Sequence, residues 1–278
     1  MKEFPALPSP FTWHRSGGLA MIEADMSRLE SGPALTFSTR VGGVSSGPYE
    51  GLNLSLKGED DRDLVLANRA LLSKGVGFPL ERLVVMQQVH GSAVLPVGPT
   101  EAGRGAYDPR TGLPEVDGLV TADGSICLSV STADCVPVAL FDPKTGAVAG
   151  IHAGWRGLLG GVIESGIAAL ADNFGSAAGD CWAFLGPSIG PCCFEVGLEV
   201  AARFRDRLGD KPIIVRPETP RPYVDLLLAS RMVLEAAAVA GDKIKPVGLC
   251  TCCNPHLFYS YRRDGRRTGS QMMWVRRP

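Results

Sequence analysis

The stretch VPVALFDPKTGAVAGIHA, Val136 to Ala153, constrains this chain more than any other. Two apolar runs flank Pro143-Lys144-Thr145-Gly146, a composition suited to a four-residue reverse turn, and the runs read as buried strands of one hairpin. If Asp142 faces Ala147, then Cys135 lies opposite Gly154 and His152 lies opposite Pro137. Positions 135 and 137 share a face, so Cys135 and His152 become diagonal neighbours, about 7–8 Å apart at the backbone. A metal ion bonded at about 2.3 Å to sulfur and about 2.0 Å to nitrogen spans that gap. A slip of one residue would send the two side chains to opposite faces.

A cysteine in an apolar strand is commonly a small buried hydrophobe. The neighbours of Cys135 argue for more: Asp134 precedes it, and Gly154 and Gly157 in HAGWRG leave backbone room for a ligand. A third ligand would come from His14, His90 or His256, the remaining histidines of four. His90 ends the apolar run RLVVMQQVHG, where a side chain leaves the edge of a sheet. His14 lies in a segment rich in proline and glycine, and His256 follows a proline in a loop. His90 is therefore preferred.

Further buried strands are expected at ALTFST, RLVVMQQVH, CLSVST and CWAFLGP. Helical periodicity marks DRDLVLANRALLSKG, GGVIESGIAALADNFG and VDLLLASRMVLEAAAVAG. This mixture points to an α+β fold in which helices cover a mixed sheet, organised as one domain. The formal charge of -1 supplies no general attraction to nucleic acid or anionic membrane. The leading residues lack the apolar stretch of a signal peptide, and no run reaches the length of a membrane span. A cytoplasmic protein is expected, with its eight cysteines serving as thiols or metal ligands rather than disulfides.

Eight segments together carry a resemblance: STRVGGVSSGPYEGLNLS, NRALL, QQVHG, VDGLVT, TADCVPV, IHAGWRG, LGPSIGPCCFEVG and SYRRDG. They resemble, in order, the YfiH-type laccase-domain family, also called polyphenol oxidoreductase or purine nucleoside phosphorylase-like proteins. The resemblance implies a four-layer α/β/β/α sandwich with mixed sheets, spanning 35–278 behind an N-terminal extension, 1–34. It also implies a zinc ion held by His90, Cys135 and His152, with a fourth position open as in catalytic zinc sites. Copper would be an adventitious occupant. One departure concerns anion binding. The family commonly continues after SYRRDG with Thr-Gly-Arg, whereas this chain has Thr268-Gly269-Ser270, so any anion contact made by that arginine would be absent here or supplied by Arg266 or Arg267.

The chemistry can be narrowed further. A multicopper oxidase needs on the order of ten histidines, and this chain has four. The H-x-E and P-C-x-x-C signature of cytidine-type deaminases is also missing. The resemblance implies phosphorolysis of adenosine, inosine, guanosine or methylthioadenosine, together with adenosine deamination. The partners would be a purine nucleoside and phosphate, the protein acting as a monomer. Arginines hold phosphate well through bidentate geometry, so Arg40, Arg69, Arg156 and Arg263 are candidates. Asn53 and Gln88 could orient sugar or base, and Asp134 could move a proton or orient a ligand. Competing readings are an amidase editing a UDP-MurNAc-amino acid, a cysteine hydrolase using Cys135 and His152, and a non-catalytic zinc module. A second zinc at Cys192, Cys193, Cys250, Cys252 and Cys253 is disfavoured, because adjacent cysteines rarely reach one ion.

Overall fold

The central hairpin forms in the register its turn dictates. In the computed structural model, which describes residues 4–26 and 32–277, Asp142 N donates to Ala147 O at 3.0 Å. Phe141 then faces Val148, Pro137 faces His152 and Val136 faces Ala153, without a bulge.

Two sheets stack around this hairpin. In spatial order, the first contains Phe11–Ser16 (β1), Leu19–Ala24 (β2), Ala34–Ser38 (β3), Gln271–Arg276 (β15), Cys127–Thr132 (β8), Leu83–Gln87 (β4) and Leu113–Pro114 (β6). The second contains Ile244–Pro246 (β14), Trp182–Leu185 (β11), Val136–Phe141 (β9), Val148–Ala153 (β10), Gly118–Thr121 (β7) and Val94–Pro96 (β5). A small ribbon pairs Ile213–Ile214 (β12) with Tyr223–Val224 (β13). The helices are Arg62–Val76 (α1), Trp155–Leu159 (α2), Val162–Phe174 (α3), Leu198–Leu208 (α4), Leu226–Ala236 (α5) and Tyr261–Asp264 (α6).

Every residue of β9 and β10 is buried, because both faces of their sheet are covered. Val138, Leu140, Ala149 and Ile151 point into a core shared with α3, α4 and α5. Ala139, Phe141 and Val148 alternate to the other face and meet Phe37, Val130, Met273 and Val275 of the first sheet. On that sheet's outer face, Met272 and Trp274 pack with Val85, Cys127 and Leu72, the last from α1. The layers therefore run helix, sheet, sheet, helices.

Local chemistry sets the helix ends. Asp61 caps α1 by accepting from Asp63 N, Gly77 closes it with φ 70, and Asp225 caps α5 by accepting from Leu228 N. Several elements escape the hydrophobic pattern. The segment expected as an N-terminal extension supplies β1 and β2, and β2 pairs with β3. The α4 sequence LEVAARFRDRL buries little beyond Ala201 and Phe204, so its charges hide its period. Strand β15 lies in the arginine-rich tail, yet it pairs with both β3 and β8 at the centre of the first sheet. Among the described residues, no helix is long and apolar enough to cross a membrane.

Phe141 is fully buried between the sheets. Phe141→Ala should therefore destabilise the protein by about 3–5 kcal/mol, seen as a lower urea midpoint at an unchanged slope. A loss near zero would show that the two sheets do not share this core.

Candidate metal centre and cleft

Three chain segments converge at one end of β10. His90 follows β4, Cys135 immediately precedes β9, and His152 belongs to β10. His90 and Asp134 occupy the left-handed region, with φ 63 and φ 103. Conformations like these are costly for residues with a Cβ and persist only where surrounding bonds impose them.

Asp117, just before β7, imposes the first. Its carboxylate accepts from Val89 N at 3.1 Å, His90 N at 3.0 Å and Gly91 N at 2.7 Å. It also bonds His152 Nδ1 at 2.7 Å, while its backbone carbonyl accepts from His152 N at 2.7 Å. Burial opposes ionisation of Asp117, but the bonds to His152 and to the Gly91 and Val89 amides outweigh it and hold its pKa below the ordinary value. With Nδ1 committed to a carboxylate, the free nitrogen of His152 is Nε2.

The donor atoms of His90, Cys135 and His152 all lie within 4.8 Å of one another. Cys135 Sγ is 3.8 Å from His90 Nε2, and the two imidazole rings sit edge to face with centroids 4.8 Å apart. Gly154 makes this convergence feasible: a Cβ there would come within 2.7 Å of His90 Cδ2 and 3.0 Å of Cys135 Sγ. Burial pushes the Cys135 thiol up, yet His152 and His90 more than compensate and bring it down to about 6. Burial likewise works against charge on His152, but Cys135 and Asp117 raise it to about 9. A thiolate and two imidazoles, one oriented by a buried carboxylate, suit a late first-row divalent ion such as zinc.

The trio opens onto a cleft of about 560 Å³. Arg69, Gln88 and Arg156 line it, as do Lys57 and Arg266; among the described residues no carboxylate lines it. Arg69 is 2% exposed and donates to Leu54 O, Gly105 O and Ala106 O through Nε and Nη1, leaving Nη2 without a protein acceptor among the described residues. Burial lowers its pKa to about 10, so it stays cationic at neutral pH. Burial also lowers the Lys57 pKa, partly offset by the Asp117 charge. Gln88 spends its amide on both backbone groups of Ser131, and exposed Arg156 stacks 4.4 Å from the Trp155 ring.

The other candidates lie outside the cleft lining. Arg40 donates to Glu50 O and Pro255 O and lies over Tyr259. Buried Asn53 bonds Asp60 and accepts from Ser55 N and Ser270 N. The Asp134 carboxylate accepts from Thr251 Oγ1 at 2.6 Å and Arg262 N at 2.7 Å. Arg263 is occupied by Asp264 and three backbone carbonyls. Arg266 and Ser270 both line the cleft, on the segment where the family's usual arginine is replaced.

Fold and site together mark a laccase-domain protein. The chain belongs to the multi-copper polyphenol oxidoreductase laccase family, whose model matches residues 34–277. It is 38% identical over 249 residues to the purine nucleoside phosphorylase YlmD of Geobacillus stearothermophilus, covering 89% of this chain and 91% of that one. The crystal structure of YlmD from Geobacillus stearothermophilus superposes with a TM-score of 0.89 at 35% identity, covering 96% of this chain and 99% of its own. The adenosine deaminase RL5, from an unknown prokaryotic organism, is 37% identical over 238 residues, or 84% of this chain and 90% of that one.

Neither Asp117 nor Lys57 is marked as a site residue by the sequence alone. VDGLVT offers an acid ahead of an apolar strand, but nothing local says that its partner is His152.

Asp117→Asn should weaken divalent-metal binding about 10–100-fold, read by competition with a chelator, with a smaller change in the urea midpoint. Unchanged affinity would remove Asp117 from the site. In metal-free protein, alkylation of the Cys135 peptide followed by mass spectrometry should rise as pH passes about 6, because the thiolate is the reactive form. A rise confined to pH near 9 would contradict the thiolate–imidazolium pair.

Proposed function

We propose that this protein is a zinc-dependent purine nucleoside phosphorylase that also deaminates adenosine. One observation carries the reading: a cleft lined by Lys57, Arg69, Arg156 and Arg266, without a carboxylate among the described residues, opens beside the His90, Cys135 and His152 donors. Burial works against the charge of Arg69, a cost that a bound anion offsets. The cleft volume of about 560 Å³ falls within the usual range for small-molecule sites. The relatives named purine nucleoside phosphorylase support the substrate class, and the one named adenosine deaminase supports the second activity.

In phosphorolysis, a phosphate oxygen attacks C1′ of the ribose and the bond from C1′ to the purine nitrogen breaks. The electron pair leaves with the base, which takes up a proton, giving free purine and ribose 1-phosphate. Arg69 Nη2, Lys57 and Arg266 hold the phosphate and neutralise its charge against the sugar. Arg156, stacked at the rim, closes on the nucleoside. Gln88 keeps the strand carrying Ser131 and Thr132 in place, Asn53 holds Ser55 N and Ser270 N at the edge of the cleft, and Arg40 holds the Glu50 carbonyl. Asp134 anchors the turn that presents Cys135. A zinc ion held by His90, Cys135 and His152 supplies Lewis acidity to the site when bound.

Multicopper oxidation is not proposed. His14 lies on β1, 3.8 Å from Glu23, and His256 lies in a loop, so only two of the four histidines reach the donor group. A different reading draws on the order Cys135–His152–Asp117, which matches a metal-free nucleophile, base and orienter.

The deciding experiment follows adenosine with and without phosphate. Adenine should appear only with phosphate, and inosine should form without it. His90→Ala and chelation should each lower both rates by about 100-fold or more. Lys57→Gln and Arg266→Gln should raise the KM for phosphate roughly 10-fold each while leaving deamination nearly unchanged. Turnover that survives chelation but is abolished by alkylating Cys135 would favour the cysteine nucleophile, and adenine release without phosphate would sink phosphorolysis.

A further inference from the structure

A second group of sulfur donors lies apart from the trio. Cys192 and Cys193 sit in the turn after β11, and Cys250 and Cys253 sit in the turn after β14. Their four Sγ atoms all lie within 4.8 Å of one another. Cys253 Sγ is 3.3 Å from Cys192 Sγ and 3.4 Å from Cys193 Sγ. A tetrahedral ion bonded to four sulfurs at about 2.3 Å requires sulfur–sulfur edges of about 3.8 Å. The cluster is already near that size.

Burial and the neighbouring sulfurs push the Cys192 and Cys193 thiols up, whereas a backbone amide favours anionic sulfur at Cys250. Gly190 N donates to Cys250 Sγ at 3.2 Å. A Cβ at position 190 would approach Cys192 Sγ and Cys250 Cβ to 3.3 Å, so glycine keeps the sulfurs from being crowded. Arg216 donates to Pro191 O at 3.0 Å and Arg262 to Cys193 O at 2.9 Å, which brings two cations to the turn that carries the adjacent cysteines. Cys192 and Cys253 are exposed, so an ion can enter from solvent. The adjacency of Cys192 and Cys193 is accommodated because the 190–193 turn, tightened by Cys193 N donating to Gly190 O, places both sulfurs beside Cys253. Cys250 and Cys253 have the C-x-x-C spacing usual for metal ligands.

We propose that Cys192, Cys193, Cys250 and Cys253 form a second metal site, a four-thiolate cage for a zinc-like divalent cation. The ion fastens together the two turns that Ser188 and Thr251 already join, Thr251 N donating to Ser188 O at 3.0 Å. It acts as a structural clamp at one remove from the first site. Thr251 Oγ1 also donates to Asp134, the residue before Cys135.

Cobalt(II) is the probe. Reduced, metal-free full-length protein should take up two equivalents of Co²⁺. His90→Ala should retain one, with the intense near-ultraviolet thiolate-to-cobalt absorption, and Cys253→Ser should lose one. In the His90→Ala protein, one equivalent of Zn²⁺ should slow alkylation of Cys192 and Cys253 at least 10-fold. The proposal fails if Cys253→Ser and wild type bind equal amounts of Co²⁺. It fails equally if His90→Ala binds none, or if Cys192 and Cys253 join as a disulfide that Zn²⁺ does not prevent. Should Cys253→Ser not fold, the His90→Ala protein decides alone.

Discussion

The buried carboxylate of Asp117 is the interaction on which the rest of the site depends. It is fully buried and its charge is met by three successive backbone amides and one imidazole. Those bonds connect the end of β4 to the start of β7 and to β10, three strands from two different sheets. They hold His90 in a left-handed conformation it would not otherwise adopt, and they leave His152 Nε2 facing Cys135. A buried charge satisfied by this many donors is expensive to disturb, because removing it would leave three part-buried backbone N–H groups and the buried His152 ring without their acceptor.

The cleft beside it follows a different logic. Arg69 is locked to three carbonyls on the floor, yet one of its terminal nitrogens is left over. Lys57 and Arg266 add charge without a lining carboxylate among the described residues to neutralise it. The cationic lining thus lies next to donors suited to a metal, an arrangement that the proposed phosphate would complement. The metal donors come from the ends of β4, β9 and β10, whereas Lys57, Arg69 and Arg266 come from other segments of the chain.

Much of this was legible in the chain. The hairpin register follows from its turn, and it places Cys135 and His152 on one face as expected. Four other strands and three helices follow from hydrophobic period. The misses have physical causes. β15 carries arginines at its end, α4 buries only a narrow stripe, and Asp117 acts through partners remote in sequence. Arg263 and Asp134 read as candidates for chemistry because their types suit it. In the structure Asp134 holds Thr251 Oγ1 and Arg262 N, and Arg263 holds Asp264 and three backbone carbonyls, partners that no local pattern reveals.

The sequence by itself determined the sheet-forming segments, the hairpin and the family, since alternation, turn residues and ordered motifs are local properties. Only the tertiary structure decided which arginines face the cleft, which acid orients His152, and that four cysteines from two distant turns meet. Those outcomes depend on how layers pack, where a displacement of one residue reverses a side chain, and that information is distributed over contacts rather than written along the chain.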